Sequence, residues 1–264
     1  MIRRKTHSLL CLLLPLGIHA QSSFSMRAAL DPVPAAGFYA INVSPELSGY
    51  VQVDFRDIRV LDGAGAQVPF IIDTVDSAVE NPAPRFYQKD STDGYSYIFV
   101  LDGPYHKTMF GLGLKGPVFF QREMESVGEA YTLSSDRKDS LWRVATFKGT
   151  YWFIKIRNGD NPPLTATGVR TFQDRKRLVC YLEAGKAYHL VMDAPGVQAP
   201  VYDLEAFRSR IPRIVPTVKV GTFEPLRTNV RFFSERWIWI TIILVSVILF
   251  YFSWRLTREV GRRK

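Results

Sequence analysis

Few residues of this chain have the chemistry for catalysis, and their spacing decides what they can do. The chain holds four histidines and two cysteines, and His7, His19 and Cys11 fall within the first twenty positions. That leaves His106, His189 and Cys180 for any folded part. The two histidines are not spaced as metal ligands. No H-E-x-x-H, C-x-x-C or G-x-S-x-G occurs, and no glycine loop reads as a phosphate cradle. Neither a metal nor another cofactor is expected. His189 sits in a strand-like run, as a structural histidine does, and His106 falls in a turn-rich stretch that predicts exposure. Cys180 lies in the apolar run Leu178–Leu182, which predicts a buried small hydrophobe and not a reactive thiol.

Two devices remain. A glycosidase-like pair of carboxylates can come from anywhere in a fold, and Asp160 with Asp203 is the first pair to consider. Most carboxylates are solvated surface charges, so the chain is read as not an enzyme. Sugar recognition would use Trp142, Tyr151 or Trp152 as a stacking ring, with Asn158, Asp160 and Asn161 bonding hydroxyls. Against it, aromatics in strands usually enter cores. In Trp152–Arg157 the alternation sets Trp152, Ile154 and Ile156 on an inward face and Phe153, Lys155 and Arg157 opposite.

These residues must be positioned by strands. From Phe24 to about Asp203, short β-branched or aromatic runs alternate with Gly, Pro, Asn and Asp, without a sustained helical period. The expected strands are Gly37–Val43, Tyr50–Phe55, Arg59–Leu61, Val68–Ile72, Tyr95–Leu101, Trp142–Phe147, Trp152–Arg157, Leu164–Phe172, Arg177–Leu182 and Ala187–Met192. Two hairpins are expected, one turning at Asp62–Gly65 and one at Glu183–Lys186, with glycine supplying the positive φ. The turn-rich stretch Asp102–Lys107 suggests a boundary. The reading is an all-β ectodomain of two β-sandwich or jelly-roll-like units, 21–107 and 108–210, with a single larger sandwich as the alternative. Residues 211–236, with Pro212, Pro216 and Pro225, read as an extended stalk.

Charge and hydropathy place the whole. The formal charge is +9, but residues 1–20 supply +3 and residues 255–264 supply +4, which leaves only +2 between them. Basic ends with a near-neutral middle argue for membrane orientation and against a nucleic-acid surface. Residues 1–20 have the basic start, short apolar run and small residue, Ala20, of a cleaved signal peptide. Residues 237–254 are uncharged, and at about 1.5 Å per residue they span a hydrocarbon core as a helix. Trp237, Trp239, Tyr251 and Trp254 stand at its ends as interfacial aromatics, and Arg255 and Arg258 begin a basic tail, 255–264, that favours a cytoplasmic C-terminus. A single-pass protein of the inner membrane is expected, its ectodomain periplasmic or otherwise extracytoplasmic. Only Cys180 survives signal removal, so no disulfide within the mature chain is expected.

Three segments together resemble a known family. Asp57-Ile58-Arg59-Val60-Leu61-Asp62, with Gly65 and Val68-Pro69-Phe70, is similar to the first-domain hairpin of a bacterial membrane-anchored family, the domain of unknown function of the three-nine-nine-nine series. Arg157-Asn158-Gly159-Asp160-Asn161-Pro162-Pro163-Leu164 with Gly168-Val169 resembles a later segment of it, and Ala199-Pro200-Val201-Tyr202-Asp203-Leu204 the close of the same unit. The resemblance implies an envelope protein of β-sandwich units, one shaped like galactose-binding jelly rolls, without established chemistry. Turn chemistry accounts for the same residues structurally, because Asp160 or Asn161 can bond local backbone and Pro163 can fix the exit. The leading expectation is a non-catalytic binding or assembly module at the outer face of the cytoplasmic membrane. Its partner would be another envelope or membrane protein, or a glycan, beside the lipid bilayer and without nucleic acid. A lectin-like envelope protein is second and an envelope glycoside hydrolase third.

Overall fold

The computed structural model describes residues 24–136, 141–226 and 235–261, and the expected signal segment 1–20 lies outside them. The chain divides into two compact units, 1–226 and 227–264. The first is predominantly β. In chain order its strands are β1 (Met26–Leu30), β2 (Gly37–Asn42), β3 (Arg59–Asp62), β4 (Gln67–Val68), β5 (Phe70–Glu80), β6 (Arg85–Asp90), β7 (Tyr95–Leu101) and β8 (His106–Lys115). There follow β9 (Gln121–Ser126), β10 (Glu129–Ser134), β11 (Leu141–Lys148), β12 (Tyr151–Arg157), β13 (Thr165–Leu182), β14 (Tyr188–Met192), β15 (Thr217–Val218) and β16 (Val220–Pro225).

The strands form three sheets. The first runs β16-β1-β14-β3-β4, the second β10-β9-β12-β7-β6, and the third β11-β8-β13-β2-β15, with β5 also paired to β13. The 18-residue β13 is shared: its first part pairs with β8 and its second with β5 and β2. The third sheet therefore backs two cores. Ala28, Ile41, Val60, Leu178, Cys180 and Leu190 build one with the first sheet. Ile98, Phe110, Met124, Trp142, Ile154 and Val169 build the other with the second sheet. Alternation selects these residues, since every second side chain of a strand reaches one face.

Several expectations need correction. The boundary at 107/108 falls inside β8, whose His106 and Lys107 are buried and whose strand pairs with β13. Tyr50–Phe55 is not a strand. Ser44 caps a short helix, α1 (Pro45–Tyr50), by accepting a hydrogen bond from the Leu47 amide at 3.2 Å, and the chain then turns through Phe55 at φ 58°. A capping serine followed by proline at the first helical position outweighs the β-like composition there. The Asp62–Gly65 hairpin is present, with Val60 opposite Val68 and Gly65 at φ 84°. Glu183–Lys186 is a tight turn with Gly185 at φ 77°, yet it makes no hairpin: it carries the chain from β13 in the third sheet to β14 in the first. The segment read as stalk carries two strands within its described part, β15 paired parallel with β2 and β16 antiparallel with β1. Both are edge strands, where proline is tolerated. A 3-10 helix, Asp203–Arg210, precedes them.

The second unit contains α2 (Glu235–Gly261), a helix of 27 residues. Its described apolar side chains, Trp239, Ile240, Ile242–Val245 and Val247–Phe252 among them, are exposed. The side chains of Trp237, Ile238 and Thr241 are not among those described, and over the described residues no helix is long and apolar enough to cross a membrane.

Candidate functional site

The second sheet sends one set of side chains into its core and must send the other outward. Ser96, Ile98 and Val100 of β7 and Trp152, Ile154 and Ile156 of β12 are buried. Tyr95, Tyr97, Phe99 and Leu101, with Tyr151, Phe153, Lys155 and Arg157, therefore share the opposite face. Strand register aligns them in rows: Arg85–Leu101–Tyr151, then Tyr87–Phe99–Phe153, then Lys89–Tyr97–Lys155–Glu125, then Tyr95–Arg157–Glu123. Apart from Arg85 at one end, the first two rows are aromatic and apolar, and the last two carry charges beside Tyr97 and Tyr95.

Exposure makes this face unusual for a sheet surface. Tyr87 is 51% exposed, Tyr151 56%, Phe153 47% and Leu101 47%. The rings are ordered against one another: Tyr87–Phe99 at 4.9 Å and 23°, Phe99–Tyr151 at 6.1 Å and 15°, Tyr97–Phe99 at 6.2 Å and 19°. The shortest of these matches the spacing of neighbouring strands, about 4.7–4.9 Å. Rings lying as coplanar tiles cannot approach so closely, so Tyr87 and Phe99 stand face to face and turn their edges outward. The Tyr151 phenol is held above its ordinary pKa, by desolvation first and by the neighbouring Tyr87 hydroxyl second. At the charged end, the Lys155 ammonium lies 4.3 Å from the Tyr95 ring centroid and 3.6 Å from Glu125, and Arg157 pairs with Glu123 at 3.1 Å. Arg85 and Lys89 have no ion-pair partner among the described residues.

Of the residues singled out from sequence, only Tyr151 belongs to this face. Trp142 is buried and stacks on Phe110 at 5.4 Å, with its edge on an open cleft of about 550 Å³ lined also by Leu114, Lys115 and Ser134. Trp152 is buried as the alternation requires. Asn158 is buried too, and its amide donates to the Ser96 hydroxyl at 2.7 Å. The amides of Asn158 and Gly159 donate to the Gly94 carbonyl at 2.8 and 3.1 Å, and the Asn161 side chain donates to the Asn158 carbonyl at 3.1 Å. The loop thus bonds to itself, to the Gly94 turn and to Ser96, and leaves Asn158 Oδ1 buried without a partner among the described residues. Asp160 is exposed on that loop, whereas Asp203 is exposed at the start of the 3-10 helix that packs on β5. The two carboxylates belong to different elements of the first unit, Asp160 to the loop after β12 and Asp203 to the 3-10 helix. Cys180 is buried, and desolvation pushes its thiol up to about 12. Trp239, Tyr251, Trp254, Arg255 and Arg258 lie on α2, with the Arg258 guanidinium 4.5 Å over the Trp254 ring.

The expected exposure of His106 fails for a physical reason. Its backbone amide donates to the Ser48 hydroxyl at 3.2 Å and its Nε2 lies 3.0 Å from the Val51 carbonyl, in a buried polar joint between α1 and β8. Burial lowers its pKa to about 4, opposed by the Val51 contact and reinforced by Lys148, Lys176 and Lys107. Next to it, Lys107 and Asp102 form a wholly buried ion pair at 3.5 Å. Asp102 also accepts from the Gly103 amide and the Thr171 hydroxyl, so the ion pair ties β8 to the Gly103 turn and to β13.

The sequence reading missed Tyr87, Tyr97 and Phe99. The signal was available in Tyr95–Leu101, where both alternating sets are apolar or aromatic; a strand at the edge of one core has no second core for its other face. It also passed over Gly111-Leu112-Gly113-Leu114-Lys115-Gly116, which has G-x-G-x-x-G spacing. Those residues lie along and just beyond β8 with no helix opening after them, so no helix N-terminus awaits a phosphate there. No protein-family model, no curated protein and no solved structure matches this chain.

Proposed function

We propose that the protein is a non-catalytic binding and assembly module, held at the outer face of a cytoplasmic membrane by α2, which docks a partner protein on the aromatic face of the second sheet. The observation that carries this reading is the ordered row Tyr87–Phe99–Phe153, exposed at Tyr87 and Phe153 with Phe99 half-buried between them, and exposed Tyr151 and Leu101 beside it. Tyrosine, phenylalanine and arginine inside a charged rim are what protein interfaces enrich. A sugar platform needs open ring faces; here Tyr87 and Phe99 turn their faces to one another, and the Asn158 side chain is buried with its nitrogen held by Ser96.

The membrane part of the reading rests on the uncharged stretch 237–254 within α2 and on the exposure of its described apolar side chains. A helix apolar on every side is stable in lipid and not in water. The two-sandwich, jelly-roll-like architecture that the three family-like segments imply fits the same role. A photo-crosslinking amino acid at Leu101, in intact membranes, tests the docking surface. A protein adduct from Leu101 and none from the exposed turn residue Glu183 is expected. Retention of a glycan by that face, or no adduct, would reject it. For topology, protease added outside spheroplasts should digest the β unit, and carbonate should fail to extract the chain.

A further inference from the structure

We propose that the partner protein is a second copy of this chain, packed sheet to sheet about a twofold axis running along the strands between β7 and β12. The inference rests on the aromatic face being a protein-docking surface and adds which protein docks there.

The pattern of the face selects both the partner and the axis. Rotation about a line parallel to the strands keeps each row opposite its own row and reverses the order of the strands. With the axis between β7 and β12, β7 lies over β12 of the second copy and β6 over its β9. Leu101 then meets Tyr151, and Phe99 meets Phe153. Tyr97 and Tyr95 meet Lys155 and Arg157, an arrangement that Lys155 already adopts over Tyr95 within one copy at 4.3 Å. Lys89, without an ion-pair partner among the described residues, arrives opposite Glu125. A twofold axis across the strands does the reverse. It sets β6 on β6, bringing Arg85 against Lys89, and lays the charged rows on the apolar ones. Like charges facing each other across an interface oppose association, so the axis along the strands is selected. Aligned sheet faces pack about 10 Å apart with side chains interdigitating, a geometry the rows Leu101–Tyr151 and Phe99–Phe153 can fill. The four strands that overlap, by four rows, give a footprint of roughly 14 by 20 Å per copy. That is smaller than stable interfaces bury, so the contact is a weak one and the dimer should dissociate on dilution.

Cysteine pairing in the full chain, in native membranes, tests this directly. In the dimer the Lys89 and Glu125 backbones face each other across about 10 Å, beyond the roughly 7 Å that a direct disulfide tolerates but within reach of a short bismaleimide. Co-expressed chains carrying Lys89→Cys and Glu125→Cys, one substitution each, should give a covalent dimer with such a reagent, and neither chain alone should. The native Cys180 is buried and stays out of the reaction. Lys89→Glu should weaken self-association in detergent micelles roughly tenfold, and adding Glu125→Lys should restore it. Both positions are exposed, so neither change disturbs the core. Absence of the mixed bismaleimide crosslink together with capture of a different protein at Leu101 overturns the second copy and leaves the docking surface standing. No capture at Leu101 removes both.

Discussion

Lys107 keeps a charge inside the fold because oxygens surround it: Asp102 Oδ2 at 3.5 Å and the carbonyls of Gly103, Tyr105 and Gly149 at 2.8, 3.0 and 3.0 Å. Desolvation lowers its pKa and Asp102 opposes the shift. Lys107→Met should therefore cost about 3–5 kcal/mol, since a buried carboxylate is left uncompensated, and adding Asp102→Leu should recover part of that loss; urea unfolding of the three chains measures it. His106 gives a pH signature. Its folded pKa, about 4, lies below the ordinary 6.5, so between those values the unfolded chain binds a proton that the folded chain refuses. Stability is intact above pH 6.5 and falls as pH drops towards 4. In His106→Gln this contribution is absent, and the stability gap to wild type should shrink by about 3 kcal/mol between pH 7 and pH 4. Neither role is legible in sequence. His-Lys after a Tyr in a turn-rich stretch looks exposed, and only the long-range approach of α1 and of the Gly149 turn encloses the pair.

At the scale of elements, β12 separates structure from function residue by residue. Trp152→Ala should cost about 3–5 kcal/mol, because its ring fills the second core. Tyr151→Ser, one position earlier on the opposite face, should change stability by about 1 kcal/mol or less while lowering crosslinking from Leu101. Thermal melts alongside the adduct yield distinguish the two. The loop after β12 makes the complementary case: Asn158→Ala removes the bond to Ser96 and should cost about 1–3 kcal/mol without affecting docking. The inward set Trp152, Ile154 and Ile156 was readable from alternation alone, as was the Asp62–Gly65 hairpin. Pairing was not. The Glu183–Lys186 turn has the composition of a hairpin, and whether its strands pair or join two sheets is decided by β5 and β2, which occupy both edges of the second part of β13. The segment 211–225 escaped for a similar reason, since edge strands of two and six residues around prolines carry almost no local pattern.

At the scale of the first unit, β13 makes the two cores one cooperative system. Leu178→Ala, a cavity in the first core, should cost about 2–5 kcal/mol and shift by the same amount both the far-ultraviolet signal and the near-ultraviolet signal of Trp142 and Trp152 in the second core. Separate transitions would show that the cores unfold independently. The all-β class was evident from composition and spacing. The sharing of a sheet was not, because an 18-residue strand with Gly168 and a bulge at Asp174/Arg175 reads as two strands. One pairing at the edge of the first sheet has a practical corollary. Met26 lies opposite Pro225, and the Leu226 amide donates to the Ser25 carbonyl at 2.7 Å, so the chain enters and leaves this unit at neighbouring points. A few added residues could join those points, and new termini cut at the tip of the Gly63–Gly65 turn would give a circularly permuted form that keeps each of the three sheets. Such a form, released from the helix that follows, would allow self-association to be weighed without a bilayer.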